Sequence, residues 1–273
     1  MKLYSVRVLM VLMLAMLFVI KGSWADNTGG VPAQSPSGNA TGTEPLQLET
    51  GFGFENLSTG NTWREYYISG SQVLGKHTGI YGTARDTNRF NIEDHEVLIG
   101  GYAPLGPQTE LAVEASDSTG HVLPEYAIGG SLTQAIGGGN DIVVGYKFRQ
   151  YTPTGVNTEN FTLEHYFADN VRIAYTINFD QLTQTGGGSA TSHALALSYY
   201  YNAHNTFNLV FVLGNEVDSI GPGAVQVLNV RGASLYGIHW FTSDFAVTYG
   251  YEVIDESPAY TRNGPRLGFR FRF

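Results

Sequence analysis

The densest group of titratable residues in the chain is Asp94-His95-Glu96, where a histidine sits between two carboxylates. A histidine close to a carboxylate is a common arrangement for general acid–base catalysis. On a β-strand, however, Asp94 and Glu96 share one face and His95 takes the other. The three side chains therefore do not form a compact catalytic group by themselves. The pattern favours solvated side chains or side chains on the wall of a lumen.

Two further sites suggest an acyl hydrolase that acts on lipid or lipopolysaccharide. Thr191-Ser192-His193 offers a nucleophile next to a base. Because neighbours on a strand point apart, Ser192 would need a partner from another strand. His165 shares a face with the aromatic and aliphatic residues of its own segment and precedes a short turn. Its simplest interpretation is a residue of the membrane interface, and a lipid-modifying role is the alternative.

Two acidic clusters are predicted to lie in loops: Asn215, Glu216 and Asp218, and then Glu252, Asp255 and Glu256. Carboxylates of this kind could bind Ca²⁺, or the divalent ions that bridge lipopolysaccharide phosphates. Neither cluster has the spacing of a defined metal-binding loop, so a solvated acidic surface is the preferred interpretation. We predict no catalytic residue, no metal ligand and no cofactor.

The bulk composition limits the class of protein. Residues 1–25 have a basic start, an apolar run over 8–20 and small residues before Asp26, which is typical of a cleaved secretory signal peptide. Its removal changes the net charge from −9 to −12 because it takes away three basic residues and no acid. Such an acidic chain is a poor nucleic-acid binder. There is no cysteine, so no disulfide can hold a secreted fold together.

The elements that must position these residues are short strands. Residues 26–45 are rich in Gly, Ser, Thr, Asn and Pro and are predicted to be a flexible periplasmic leader. From Leu46 to Phe273, segments of about ten residues alternate apolar and polar side chains and are split by turn residues, which is the pattern of a transmembrane β-barrel. Counting segments predicts an all-β, up-and-down antiparallel barrel over 46–273, with fourteen strands, or twelve if the weak segments merge.

The connections between segments alternate in predicted length. Those at 75–77, 103–108 and 137–140 are short, whereas those at 215–224 and 252–262 are long and polar. Short turns on one side and long loops on the other are expected when one end of a barrel faces the periplasm. An even strand number then places both termini on the periplasmic side.

The polar face of the strands predicts the lining of the lumen. The first and last strands must pair to close the barrel, and their charges are complementary, with glutamates on the first and arginines on the last. The wall is predicted to carry both signs of charge, without selectivity for either. The lumen-lining candidates are Glu49, Glu55, Glu110, Glu114, Lys147, Arg149, Glu164, Arg172, Asp180, Arg266, Arg270 and Arg272.

The apolar face predicts contact with the membrane. Tyr199-Tyr200-Tyr201, Tyr249, Tyr251 and Trp240 are interpreted as an aromatic girdle at the membrane interface, with stacking on sugars as the alternative. The predicted partners are therefore outer-membrane lipid and lipopolysaccharide. The last strand resembles the terminal signal that the outer-membrane barrel assembly machinery reads, through Leu267, Phe269, Phe271 and Phe273.

Residues 46–273 also resemble the YaiO family of outer-membrane proteins of Gram-negative bacteria. The matching stretches are Leu48-Glu49-Thr50-Gly51-Phe52, Gly100-Gly101-Tyr102 and Arg266-Leu267-Gly268-Phe269. The resemblance implies an integral outer-membrane β-barrel and implies no reaction. We expect a pore or passage for small solutes or glycans. The alternatives are a hydrolase acting on lipid or lipopolysaccharide, and a structural or adhesive barrel without transport.

Overall fold

A computed structural model describes residues 45–167, 170–184, 187–202 and 204–273. The predicted signal peptide, and the predicted leader except Pro45, lie outside the described residues. In the described part, no helix is long and apolar enough to cross a membrane. All regular structure there is β-strand.

The described chain forms fourteen strands, which confirms the preferred count over the alternative of twelve. They are β1 (Gln47–Leu57), β2 (Thr62–Gly75), β3 (Thr78–Arg89), β4 (Ile92–Pro104), β5 (Thr109–Ser118), β6 (Tyr126–Gly137), β7 (Asn140–Gln150), β8 (Gly155–Phe167), β9 (Val171–Leu182), β10 (Ser189–Tyr200), β11 (Thr206–Gly221), β12 (Ala224–Trp240), β13 (Phe245–Ser257) and β14 (Tyr260–Arg272).

Each strand pairs antiparallel with its neighbours in sequence, and β1 pairs with β14, so the sheet closes into a barrel. Closure leaves no unpaired edge strand. We call the end that holds the start of β1 and the end of β14 the proximal end, and the opposite end the distal end. Even-numbered strands therefore run from distal to proximal.

The alternation of side chains separates an apolar outer face from a polar inner face. On β1, Phe52 and Phe54 are exposed on the outside, whereas Glu49 is buried on the inside. β9 repeats this arrangement, with Tyr175 outside and Asp180 inside. An outward apolar band around an inward polar wall is the arrangement of a transmembrane barrel.

Glycines let inner tyrosine rings lie flat against the wall. The ring of Tyr67 on β2 covers Gly51, and the ring of Tyr81 on β3 covers Gly100. In each case a Cβ on the glycine would overlap the ring, so a larger residue would push the tyrosine into the lumen. This packing explains the glycines in two of the stretches that carry the family resemblance.

The predicted long loops at 215–224 and 252–262 are wrong. β11 and β12 continue through that region and meet at a turn over 222–223, and β13 and β14 meet at a turn over 258–259. The period of two continues because Glu252, Ile254 and Glu256 all face inward. The longest distal connection is instead the β5–β6 loop over 119–125. The predicted acidic loops are therefore parts of strands.

Candidate functional site

Among the residues that the structure describes, twenty-three charged side chains lie on the inner face of the barrel or on strand segments inside it. Fourteen are acidic: Glu49, Glu55, Glu65, Asp94, Glu96, Glu110, Glu114, Asp141, Glu164, Asp180, Glu216, Asp218, Glu252 and Glu256. Nine are basic: Arg85, Arg89, Lys147, Arg149, Arg172, Arg262, Arg266, Arg270 and Arg272. All twelve residues proposed from the sequence lie on this face. The described interior, including the part of β11 inside the barrel, has five more acidic than basic groups.

The closing seam is joined by an ion pair on the inside. Arg270 on β14 lies opposite Glu49 on β1, and its Nη2 is 2.6 Å from Glu49 Oε2. Tyr67 and Thr248 donate hydrogen bonds of 2.6 and 2.8 Å to the other oxygen of Glu49. These donors come from β2 and β13, so one carboxylate ties together four consecutive strands of the closed wall.

Glu55 and Arg266 also have partners of opposite charge. Glu55 accepts a hydrogen bond of 2.7 Å from Arg262 on β14, while Arg266 lies 2.9 Å from Glu65 on β2. Arg272 has no ion pair within the described part of the chain, and its guanidinium stacks 4.1 Å from the ring centre of Trp240.

Arg262 is the centre of a cluster near the distal end. Its side chain is 3% exposed and contacts the carboxylates of Glu55, Glu252 and Glu256, the last through a 2.9 Å hydrogen bond from Nε. The guanidinium also lies over the ring of Trp63 at 5.7 Å. Sequence reasoning missed Arg262, Glu252 and Glu256 as lumen residues because it assigned 252–262 to a loop.

The other ion pairs also run along the wall between neighbouring or next-neighbouring strands. Lys147 lies 3.1 Å from Glu114, and Arg149 lies 3.7 Å from Asp180. Similar pairs join Arg85 to Glu65 and Glu96, and Arg172 to Glu164. Opposite charges on adjacent strands are mutually stabilising, so these pairs hold their side chains against the wall.

The residues considered for a hydrolase are not brought together. Ser192 is buried on the inner face and accepts a hydrogen bond of 3.2 Å from Asn178. His193 is on the outer face, 2.8 Å from the Tyr175 hydroxyl, and His165 lies 2.7 Å from the Asn140 side chain. A nucleophile needs its base within hydrogen-bond reach, and Ser192 and His193 point to opposite sides of the wall.

Asp94 fixes the β5–β6 loop inside the barrel. Its carboxylate accepts hydrogen bonds from the backbone N–H groups of His121, Val122 and Leu123 at 2.7–2.9 Å, and from the hydroxyl of Thr119. Val122 and Leu123 are buried as a result. His95, as predicted from the strand period, is on the opposite face and pairs with Asp86 at 2.8 Å.

We therefore expect Asp94→Ala to release this loop. The substitution leaves three backbone N–H groups without their acceptor, which costs roughly 1–3 kcal/mol for a buried donor. Limited proteolysis of the purified barrel in detergent should then cut within 119–125 much faster than in the wild type. Glu93→Ala, at the exposed neighbouring position, is the matched control and should leave the cleavage rate unchanged. Equal cleavage of both variants would contradict the anchoring role.

The outer face carries a row of aromatic rings at the proximal end. Neighbouring rings in the row are 4.6–6.3 Å apart, and its members are Tyr199, Tyr201, His239, Phe241, Phe245, Phe269 and Phe271. Two girdle assignments are wrong, because strand alternation places Tyr200 and Trp240 on the inner face. Phe269 and Phe271 belong to the row, and Phe273 donates a backbone hydrogen bond to Leu46.

Acidic groups do not gather into an evident metal site. Among the described residues, no group of three or more His, Asp or Glu side chains is arranged to hold a metal ion. Glu216 and Asp218 point inward from β11, and Asp255 lies outside near Arg231 at 4.0 Å. The arrangement is one of paired and lumen-facing charges.

Comparison with known proteins agrees with this architecture. The family model of the YaiO membrane beta barrel domain matches residues 46–219. A comparison with curated protein sequences gave no match.

Among solved structures, Omp33 of Acinetobacter baumannii is 11% identical, with a TM-score of 0.50 and coverage of 84% of this chain and 99% of that one. The monoaromatic hydrocarbon channel CymD is 10% identical, with a TM-score of 0.53 and coverage of 84% and 89%. A bacterial polysaccharide outer membrane secretin is 8% identical, with a TM-score of 0.52 and coverage of 84% and 99%. At such identities the likeness concerns the fold alone.

Proposed function

The chain belongs to the YaiO family of membrane β-barrels, and on that premise we propose that it is a passage for small hydrophilic solutes across the outer membrane, with a preference for cations. A pore needs a closed wall, a lumen wider than its side chains, and a wetted lining.

The observation that carries the proposal is a fourteen-stranded closed barrel with a charged inner wall. Eight strands enclose an interior just filled by side chains, whereas sixteen to eighteen leave an aqueous channel. Fourteen strands are closer to the second case. The ion pairs join neighbouring or next-neighbouring strands, so they hold the paired side chains along the wall.

The preference for cations follows from the excess of acidic groups. Low-dielectric walls focus the field of the lining charges and concentrate the opposite ion inside. With five more acidic than basic groups among the described interior residues, the lumen attracts cations and repels anions. The expectation of a wall without selectivity counted six acidic and six basic groups. The proposal departs from it because eight further acidic and three further basic groups of the described chain face the interior.

Two proteins of similar fold, a monoaromatic hydrocarbon channel and a polysaccharide secretin, support transport as the role of such a barrel but differ in solute. In an alternative form of the proposal, the solutes are larger and are glycans. We further propose that the proximal end faces the periplasm, that the outer aromatic row contacts lipid and lipopolysaccharide, and that the assembly machinery recognises Leu267, Phe269, Phe271 and Phe273.

The proposal is tested with purified protein in planar bilayers under a KCl gradient. We expect discrete openings with a reversal potential that indicates K⁺ over Cl⁻. The selectivity should weaken from about 0.1 M to about 1 M salt, because the Debye length falls from about 10 to about 3 Å. The double variant E110Q/D141N removes two of the five excess charges and should lower the permeability ratio.

The exposed outer-face variant Arg231→Gln is the control and should leave the ratio unchanged. Anion selectivity would overturn the cation preference. Complete silence of the wild type and of every variant, including those below with an altered lumen, would overturn the passage itself. Swelling of protein-containing liposomes in neutral sugars of increasing size would separate small-solute from glycan passage.

A further inference from the structure

The distal parts of β11 and β12 leave the barrel wall. The last residue pair between β10 and β11 is Ser192 with Gly214, and the last pair between β12 and β13 is Asn229 with Ser257. Residues 215–228, which we call the inner hairpin, therefore pair only with each other. Gly214 has φ +134°, and a Cβ there would lie 2.5 Å from the carbonyl oxygen of Thr191. Glycine permits this bend.

The inner hairpin folds into the lumen and docks on the wall formed by β7 to β10. The backbone N–H of Val217 donates a hydrogen bond of 3.0 Å to Asp180, and its carbonyl accepts one of 3.3 Å from Arg149. The side chain of Val217 is 1% exposed, and it belongs to an apolar cluster with Tyr151, Val156, Leu182 and Ala190. β11 and β7 are four strands apart, so the contact crosses part of the lumen.

The other side of the inner hairpin faces β13 and β14. Leu228 is fully buried and packs with Val230 and Ile254, and Ile220 and Ala259 lie against that cluster. Ala259 also touches a third apolar cluster, formed by Leu57, Trp63 and Tyr260. Apolar side chains thus extend from β7–β10 to β13–β14 and β1–β2, with the inner hairpin between them. This layer interrupts the charged wall near the distal end.

We propose that the inner hairpin is the gate of the lumen. An apolar constriction blocks ions and polar solutes because water does not wet it. The inner hairpin is suited to move because no neighbouring strand pairs with it. Two hydrogen bonds at Val217, one of 3.4 Å from the Tyr151 hydroxyl to Asp218, and apolar contacts hold it closed. Its hinges are Gly214 and Asn229, where pairing with the wall ends. The proposal rests on the proposed passage and adds the element that opens it.

A reversible disulfide tests the gate directly. A Cβ on Gly188, in the β9–β10 connection, would lie 3.0 Å from Cγ2 of Val227 in the inner hairpin. A disulfide needs Cβ atoms about 3.5–4.5 Å apart, which this geometry allows. Because the chain has no cysteine, G188C/V227C would form a single defined bond. We expect the oxidised protein to lose its openings in planar bilayers, and dithiothreitol to restore them.

The single variants G188C and V227C are the matched controls and should open as the wild type does in both redox states. A second variant replaces residues 217–227 with Asn-Gly, which joins the paired residues Glu216 and Leu228 by a two-residue turn. It should lose the closed state and remain conducting. The heat-dependent gel shift of folded barrels checks that each variant has folded.

The outcomes separate the two proposals. If the wild type conducts, and neither oxidation nor truncation alters its openings, the gate is refuted and the passage stands. If the truncated variant and all others are folded but silent, the passage is refuted. Openings abolished by oxidation and closures abolished by truncation would together establish the inner hairpin as the gate.

Discussion

Arg262→Gln is expected to reduce the free energy of unfolding of the barrel by roughly 3–5 kcal/mol, the cost of leaving a buried charge without its partner. Arg262 is the basic group in contact with Glu55, Glu252 and Glu256. Its removal leaves three neighbouring carboxylates in a poorly solvated region. Glutamine keeps most of the side-chain volume, so the loss of stability results from removal of the charge and not from a cavity.

The measurement is reversible urea unfolding in detergent or lipid vesicles, followed by tryptophan fluorescence. Arg231→Gln is the matched control, because Arg231 is 66% exposed and lies 4.0 Å from Asp255. An exposed pair of this kind contributes about 0–1 kcal/mol. The double variant R262Q/E252Q should recover part of the loss by removing one of the stranded charges. Equal losses for R262Q and R231Q would show that the cluster has no special role.

Gly264→Ala is expected to destabilise the closing seam by at least about 3 kcal/mol, the upper end of the usual cost of overpacking. The β1–β14 register passes from Gly53 opposite Arg266 to Asn56 opposite Asn263. Within this interval, a Cβ on Gly264 would overlap the carbonyl oxygen of Phe54. A backbone atom cannot rotate away as a side chain can, so the two strands must separate locally.

Gly53→Ala provides the control on the same seam, since its Cβ would find its nearest neighbour at an ordinary 3.5 Å. Cold and heated samples on a denaturing gel show the fraction of folded barrel, and urea unfolding gives the free energy. We expect G53A to fold like the wild type and G264A to lose most of its heat-dependent band shift. A normal shift and normal stability of G264A would rule out the close approach at this seam.

The barrel could be predicted from the sequence because the alternation of apolar and polar side chains along each strand is a local pattern. The period of two on β1 and β9 places apolar residues outside and charged residues inside, whatever the distant strands do. Complementary charges on the first and last strands were also expected from closure, and Glu49 pairs with Arg270 there. The strand count was correct for the same reason.

The interior at the distal end could not be predicted from the sequence, because apolar side chains occupy inward positions there. Trp63, Leu228 and Ile254 face inward, where an alternating pattern expects polar groups. Polar residues such as Glu252 and Asp255 then suggested a loop where the structure has a strand. The inward bend at Gly214 depends on packing between strands far apart in sequence, and no local period encodes it. Arg262 and the inner hairpin were missed for these reasons.

Joining β1 to β14 links the most widely separated strands of the fold, which makes closure a slow search for a distant partner. Until the two strands pair, the growing sheet has an unpaired strand at each of its two borders, and such strands can pair with other chains. The chain is therefore prone to aggregation at every stage before the barrel closes. We expect its delivery to the membrane to depend on soluble chaperones that shield these borders, and its yield on refolding to fall steeply with concentration.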